Sequence, residues 1–533
     1  MGKSNMIDIR FLLLKTGEAG AAELTPELAS AWKDLYLSMP GQYSDTLTRF
    51  GLMEQDIQND PLKSLGHILK LSASRGKHGL PQRICFAVVG SEVVGSLSIR
   101  LELNRFLKDL GGHSGYSVKP QWRNKGVARS MLAQAKSLLP ELGLKLALLT
   151  TDPDNLASQK VIAACGGLEV EGFHDQKSGV AKKRYWISAF DGSAQFMQTN
   201  CNQAIEESLV LLQKFAVSKF TASKAVDPYW PKWSTPWWHI CFLMEAGLLH
   251  LVPSDIIAVF AKSIADHYLH FFPLLESEVP QGFSPRHQVL CHCALATVIN
   301  CLLEANLEIL EEFPWVEQWA SRYSLGNGHT HSGFYHGYNC DEAVYLKECG
   351  SPSFVGTTCF LEVFAKSLAL GNNWGNEIAR GSCRWLVDRQ FSKSLSKGTV
   401  ADPDFLSFVF PRAYEYDTLR GRLAVLEFSI RDSEICKELL LRPDFAETAV
   451  NGSACEDDAA FPPRNLLGHR TIDAAQEFER LQSVGQSSSR PCDIPSILKI
   501  LSSTENQKFF RKIELARCSI ISNEMAQKSA ALA

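Results

Sequence analysis

Segments that read as strands alternate with segments that read as helices from Ile7 to about Ala189, and the alternation then stops. From Ala204 onward apolar residues recur at helical spacing, beginning with Ile205, Leu209, Leu212 and Phe215. A chain that changes period once has to build at least two cores of different class, and 533 residues exceed what one core ordinarily holds. The expected fold is α/β in the first part, a mixed sheet with helices on both faces, followed by a mostly α-helical part. Expected boundaries are 1–190 for the α/β domain, 191–225 for a connecting helix or linker, 226–448 for a helical barrel-like domain, and 449–533 for a linker and C-terminal helical segment.

The most apolar stretch, "ICFLMEAGLLHLVPSDIIAVFA", is interrupted by Glu245, Pro253 and Asp255, so it reads as buried helices and not as a membrane span. The opening "MGKSNMIDIR" lacks the apolar core of a secretory signal, and a cytoplasmic protein without membrane insertion is expected. A net charge of -4 gives no field that collects phosphate polymers, so nucleic acid is not an expected partner. The 15 cysteines follow no regular framework, which points to reduced and mostly buried thiols.

Within the first part, "IDIRFLLL", "RICFAVV", "VVGSLSIRLEL", "GHSGYSV", "KLALLTT" and "AKKRYWISAF" read as strands. The segment "VKPQWRNKGVARSML" runs from the end of one strand into a helix carrying Val127, Met131, Ala135, Leu138 and Leu142 on one side. A helix start leaves N–H groups without helical acceptors, and together with the dipole these suit an anion such as a pyrophosphate. Gly126 lets a phosphate approach the backbone, Ala128 is small, and Arg123 and Lys125 add positive charge. Neither GxxxxGK[ST] nor GxGxxG is present here, which disfavours a Walker loop or a Rossmann dinucleotide site.

The spacing of Arg123, Gly126 and Ala128 resembles the Q/R-x-x-G-x-G/A pattern of the GCN5-related N-acetyltransferase superfamily. The flanking "GGHSGYSVKPQWRNKGVARSML" and "TTDPDNLASQKVIAACGG" are similar to a bacterial subgroup of acetyltransferases, and the likeness covers about residues 7–190. The resemblance implies acetyl-CoA as cofactor. It implies that Tyr116, Ser117 and Val118 pair with the pantetheine amides, that Arg123, Asn124, Lys125, Gly126, Val127 and Ala128 surround the pyrophosphate, and that Asn155, with Ser158 one turn later, contacts the cofactor arm. Asn155 also reads as a helix cap.

Many members of that family use a tyrosine seven residues after the asparagine to protonate the departing thiolate. Ile162 stands there and has no proton to give. Expected proton acceptors are Glu102, near the end of a strand, and His113, ahead of the cofactor strand. His174 and Asp175 are placed where they could touch a substrate, and Tyr185 and Trp186 read as core residues of the last strand.

In the second part, "DPYWPKWSTPWWH" holds Asp227, Tyr229, Trp230, Trp233, Trp237, Trp238 and His239, a packed shell or the lining of an apolar cavity. His287 and Cys291, with His336, Cys340 and Asp341, can be drawn as a metal site, but their spacing does not demand one, and no metal is expected. Asp402, Asp404, Arg412, Glu415, Asp417 and Arg420 read as a paired polar network or a binding mouth. The helical rhythm, "NCDEAVYL" and "YDTLRG" look like the α/α-toroid domains of prenyltransferases and terpene cyclases, without the aspartate-rich acid motif of the cyclases. The expected function is transfer of an acetyl group to an amine of a small molecule or peptide, with a helical domain that prepares or presents the substrate. The alternative is an acetyl-CoA-binding regulatory module fused to a scaffold or apolar-ligand domain.

Overall fold

The computed structural model describes residues 8–14, 24–39, 44–73, 75, 79–174, 179–190, 198–220, 233, 235–267, 292–325, 329–330, 353–413, 415–445, 461–464 and 495–532. The chain divides into two compact units, Met1–Ala189 and Phe190–Ala533.

In the first unit β1 (Arg10–Leu14) is followed by four helices, α1 (Pro26–Leu37), α2 (Ser44–Phe50), α3 (Glu54–Asn59) and α4 (Pro61–Ser72). Two of these begin on side-chain caps: Thr25 Oγ1 accepts the N–H of Leu28, Asp60 Oδ1 accepts that of Lys63, and a proline follows each cap. β2 (Gln82–Val89) and β3 (Glu92–Arg100) form a hairpin, and β4 (Ser114–Val118) completes an antiparallel sheet in the order β1-β2-β3-β4. One face is covered by α1 and α4, which bury Trp32, Leu35, Leu65 and Ile68 against Phe86, Val88 and Val93. On the other, α5 (Val127–Leu138) sets Met131 over Gly95, where an added Cβ would come within 3.0 Å of its sulfur. The helix expected to run to Leu142 stops earlier, because Pro140 opens a separate tight turn.

β5 (Leu146–Thr151), α6 (Leu156–Ala164), β6 (Leu168–His174) and β7 (Ala181–Ser188) make a second antiparallel sheet, in the order β5-β7-β6. The mixed sheet is thus in two parts, and the seam between them lies between β4 and β5. Among the described residues no ladder crosses that seam.

The second unit is mostly helical. Its elements are α7 (Gln198–Phe220), α8 (Pro236–Glu245), α9 (Ser254–His267), α10 (His292–Glu304), α11 (Ile309–Glu312), α12 (Val316–Tyr323), α13 (Phe354–Ala369), α14 (Asn376–Asp388), α15 (Thr418–Ser429), α16 (Ser433–Leu440), α17 (Pro443–Phe445), α18 (Ser496–Leu501) and α19 (Thr504–Leu532), with a two-residue strand pair at Ser324–Leu325 and His329–Thr330. One apolar core takes in Leu212 of α7, Ile299 of α10, Phe360 of α13, Leu426 of α15 and Ile513 of α19, so the segment read as a connecting helix and the C-terminal helices share the core of the central ones. Trp233, Trp237 and Trp238 are buried in it, with the rings of Trp233 and Trp238 4.8 Å apart. The polar residues of 402–420 are paired. Arg412 binds Asp417 and Glu514, Arg420 binds Glu362, and Arg464 binds Asp404. Asp175, Asp227, Tyr229, Trp230, His287, Cys291, His336, Cys340 and Asp341 lie outside the described residues. No helix among those described is long and apolar enough to cross a membrane.

Candidate active site

The seam is closed at one end by a single histidine. His113 donates its backbone N–H to Leu148 O at 2.6 Å, and Leu148 donates its own to His113 Nδ1 at 2.8 Å. The approach needs Gly112, whose φ is +62° and where a Cβ would stand 2.6 Å from Leu148 O. Beyond this point the two strands part, with Tyr116 of β4 reaching across to α6, where its hydroxyl donates to Ser158 O at 3.5 Å. Burial pushes the Tyr116 phenol above its ordinary value, so it stays protonated at neutral pH.

Register fixes which peptide groups face the gap. Arg100 donates its N–H to His113 O (2.7 Å) and Lys119 donates to Val94 O (2.9 Å). Gly115 and Ser117, between these two positions and of the same parity, therefore turn to β3, while Tyr116 and Val118 turn their peptide groups outward toward β5. Ser117, expected alongside them, points its backbone away, and its hydroxyl meets Ser96 Oγ at 3.1 Å. On β5 the same alternation, counted from Leu148, turns Thr150 toward the gap.

At the open end the chain makes one tight turn at Pro120–Trp122 and enters α5 through two left-handed residues, Asn124 (φ +59°) and Gly126 (φ +80°). The first bond into the helix is Ser130 N–H to Gly126 O, 2.9 Å. None of the backbone N–H groups of Asn124, Lys125, Gly126, Val127, Ala128 and Arg129 reaches an acceptor among the described residues. Six consecutive amides at a helix start are thus left as donors of the kind that suit an anion. Nothing lies within 4 Å of where a Gly126 side chain would begin, so the surface is open.

The side chains around this surface have separate tasks. Val127 is buried and anchors the helix, and Ala128 is half-buried. Arg123 is exposed and donates Nε–H to Val118 O at 3.1 Å. Lys125 lies 4.8 Å over the Trp122 ring, and Trp122 Nε1–H and Lys119 Nζ both donate to Glu92. The Lys119 bond, with Trp122 adding to it, holds the Glu92 carboxyl below its usual range. Asn155 caps α6, its Oδ1 accepting the Ser158 N–H at 3.1 Å.

Both expected proton acceptors are already bonded. Arg75 spans the Glu102 carboxylate with two contacts of 2.6 Å, and the Nδ1 lone pair of His113 is taken by Leu148. Ile162 is buried against Leu132, Leu149, Tyr185 and Ile187. Tyr185 donates its hydroxyl to Glu169, the Trp186 ring lies 6.2 Å from that of His113, and His174 is exposed at the end of β6. Gly112 and Thr150 shape the gap and were not singled out from the sequence. The Gly111–Gly112 pair was the available signal for the first, and nothing local marks the second.

Residues 55–166 match the model of the family described as "Acetyltransferase (GNAT) family". No curated protein matches the chain. Among solved structures, that of yncA from Salmonella typhimurium, described with its cofactor acetyl-CoA, is 14% identical and covers 36% of this chain and 98% of that one, with a TM-score of 0.23. The matched segment runs from α3 through β4, the open loop and α5 to the end of α6, so residues 55–166 of this chain form an acetyltransferase (GNAT) domain.

Proposed function

We propose that the first unit transfers an acetyl group from acetyl-CoA, its cosubstrate, to an amine of a small molecule or peptide. The observation that carries this reading is the row of unclaimed amides from Asn124 to Arg129, open to solvent and flanked by Arg123 and Lys125. A diphosphate there satisfies donors that the fold leaves unpaired. The pantetheine arm then enters the gap, where the peptide groups of Tyr116 and Val118 are turned to receive its amides.

The thioester carbonyl is already activated, so positioning supplies most of the catalysis. The amine forms a bond to the carbonyl carbon, charge collects on its oxygen beside a β4 N–H, and the C–S bond breaks to leave a thiolate. In this reading Glu102 or His113 takes the amine's proton only by giving up the bond to Arg75 or Leu148. Ile162 offers the thiolate no proton.

That shortage of free acid–base groups favours a second reading, in which the unit binds acetyl-CoA and regulates a partner. The helical unit, read as a toroid, would prepare or present the amine in the first case and serve as scaffold or apolar-ligand domain in the second; a cytoplasmic setting fits both. Calorimetric titration with CoA tests the site: Arg123→Glu and Gly126→Val should each weaken binding about tenfold or more. Unchanged affinity in both removes the site. Tight binding without amine-dependent release of free thiol, across a panel of amines, leaves the regulatory reading.

A further inference from the structure

A segment whose amides make no bonds of their own has little to fix its shape, and two residues at positive φ, Asn124 (+59°) and Gly126 (+80°), make the path harder to hold. Such a segment needs an anchor outside itself, and Glu92 supplies one. Glu92 opens β3 directly after the hairpin turn, its register fixed by pairing with Val89. One of its oxygens accepts from Lys119 Nζ at 2.6 Å, the other from Trp122 Nε1–H at 3.1 Å. Lys119 and Trp122 bracket the tight turn ahead of the amides, and Trp122 N–H closes that turn on Lys119 O at 2.8 Å. One carboxylate therefore ties both ends of the turn to the sheet. Trp122 extends the hold, because Lys125 Nζ lies 4.8 Å over its ring.

On charge alone this carboxylate is misplaced. It repels an anionic guest and occupies a lysine that could otherwise bind a phosphate. The Lys119 side chain is 11% accessible and that of Glu92 37%, so the ammonium is the more enclosed of the two and is committed to Glu92. The arrangement makes sense if Glu92 contributes order. A guest that meets amides already aligned loses less freedom than one that must gather a loose loop.

We propose that Glu92 is a positioning residue of the diphosphate site, acting through Lys119 and Trp122 to hold the turn from which the amides of 124–129 are presented. The inference rests on the acetyl-CoA site proposed above. Charge and position predict opposite signs, and calorimetric titration of the full chain with CoA reads the sign. Glu92→Gln and Glu92→Ala each remove a negative charge, yet each should weaken CoA binding, by about threefold for Gln, which keeps an acceptor for Trp122, and about tenfold for Ala. Trp122→Phe keeps a ring under Lys125 but loses the N–H, and should weaken binding about threefold. The double variant Glu92→Ala/Trp122→Phe should bind as Glu92→Ala does, because the bond they share is already gone. Thermal unfolding of each variant separates lost position from lost fold, since a partly exposed ion pair contributes little to stability. Unchanged or tighter CoA binding in the Glu92 variants, while Arg123→Glu and Gly126→Val weaken it, overturns this inference and leaves the site standing. Unchanged affinity in all four removes the site and this inference with it.

Discussion

His113 and Leu148 are bonded twice, main chain to main chain and main chain to ring, and through them the two sheets of the first unit are joined at one end. His113→Ala would leave the Leu148 N–H buried without an acceptor, a loss of about 1–3 kcal/mol. His113→Asn offers a replacement oxygen and should lose less. Denaturant unfolding of the two variants measures the difference, and turnover lost beyond what stability explains would show that the imidazole also takes the amine's proton.

Two glycines with positive φ separate strain from crowding. Gly126→Ala meets open space and should cost only the left-handed backbone, about 1–2 kcal/mol. Gly112 has φ +62° and ψ -176°, a region nearly closed to other residues, and its new Cβ would strike Leu148 O. Gly112→Ala should cost about 3 kcal/mol or more, read from the same unfolding curves.

Burial pushes His239 down to about 4 from its ordinary 6.5, its Nδ1 lying 3.0 Å from Ser208 Oγ, and burial likewise lowers His250 to about 4. The unfolded chain takes up these protons near pH 6.5, whereas the native one stays neutral until about 4. Stability of the second unit is therefore complete above pH 6.5 and falls as pH drops toward 4, by at most about 3 kcal/mol for His239. Fluorescence of the adjacent buried Trp237 and Trp238 follows the transition, and His239→Gln should flatten the profile.

Arg412 is clamped by Asp417 through two bonds, 2.8 and 3.0 Å, and by Glu514 at 2.5 Å, all three side chains being buried. Arg412→Met would strand two carboxylates, and destabilisation of about 3–5 kcal/mol is expected, measured by thermal or urea unfolding. Asp417→Asn should fall short of that, since it keeps the shape and can still accept the Arg420 N–H that it bonds at 2.8 Å as the cap of α15.

What could be read from the sequence was local. Gly126 at a strand-to-helix corner and Asn155 one residue ahead of a helix announce themselves through φ preference and capping, and both positions hold in the structure. The start of α4 rests on the same kind of local signal, Asp60 as cap followed by Pro61. The fate of Glu102 and His113 was not legible, because the partners that claim them, Arg75 and Leu148, lie 27 and 35 residues away.

In the proposed site peptide N–H groups between Asn124 and Arg129 do most of the holding, and every residue except proline brings one. Selection can therefore rewrite the side chains of that loop while leaving its hold intact, provided the two left-handed turns survive. Kinship through such a site should fade from the letters of a sequence long before it fades from the path of the chain.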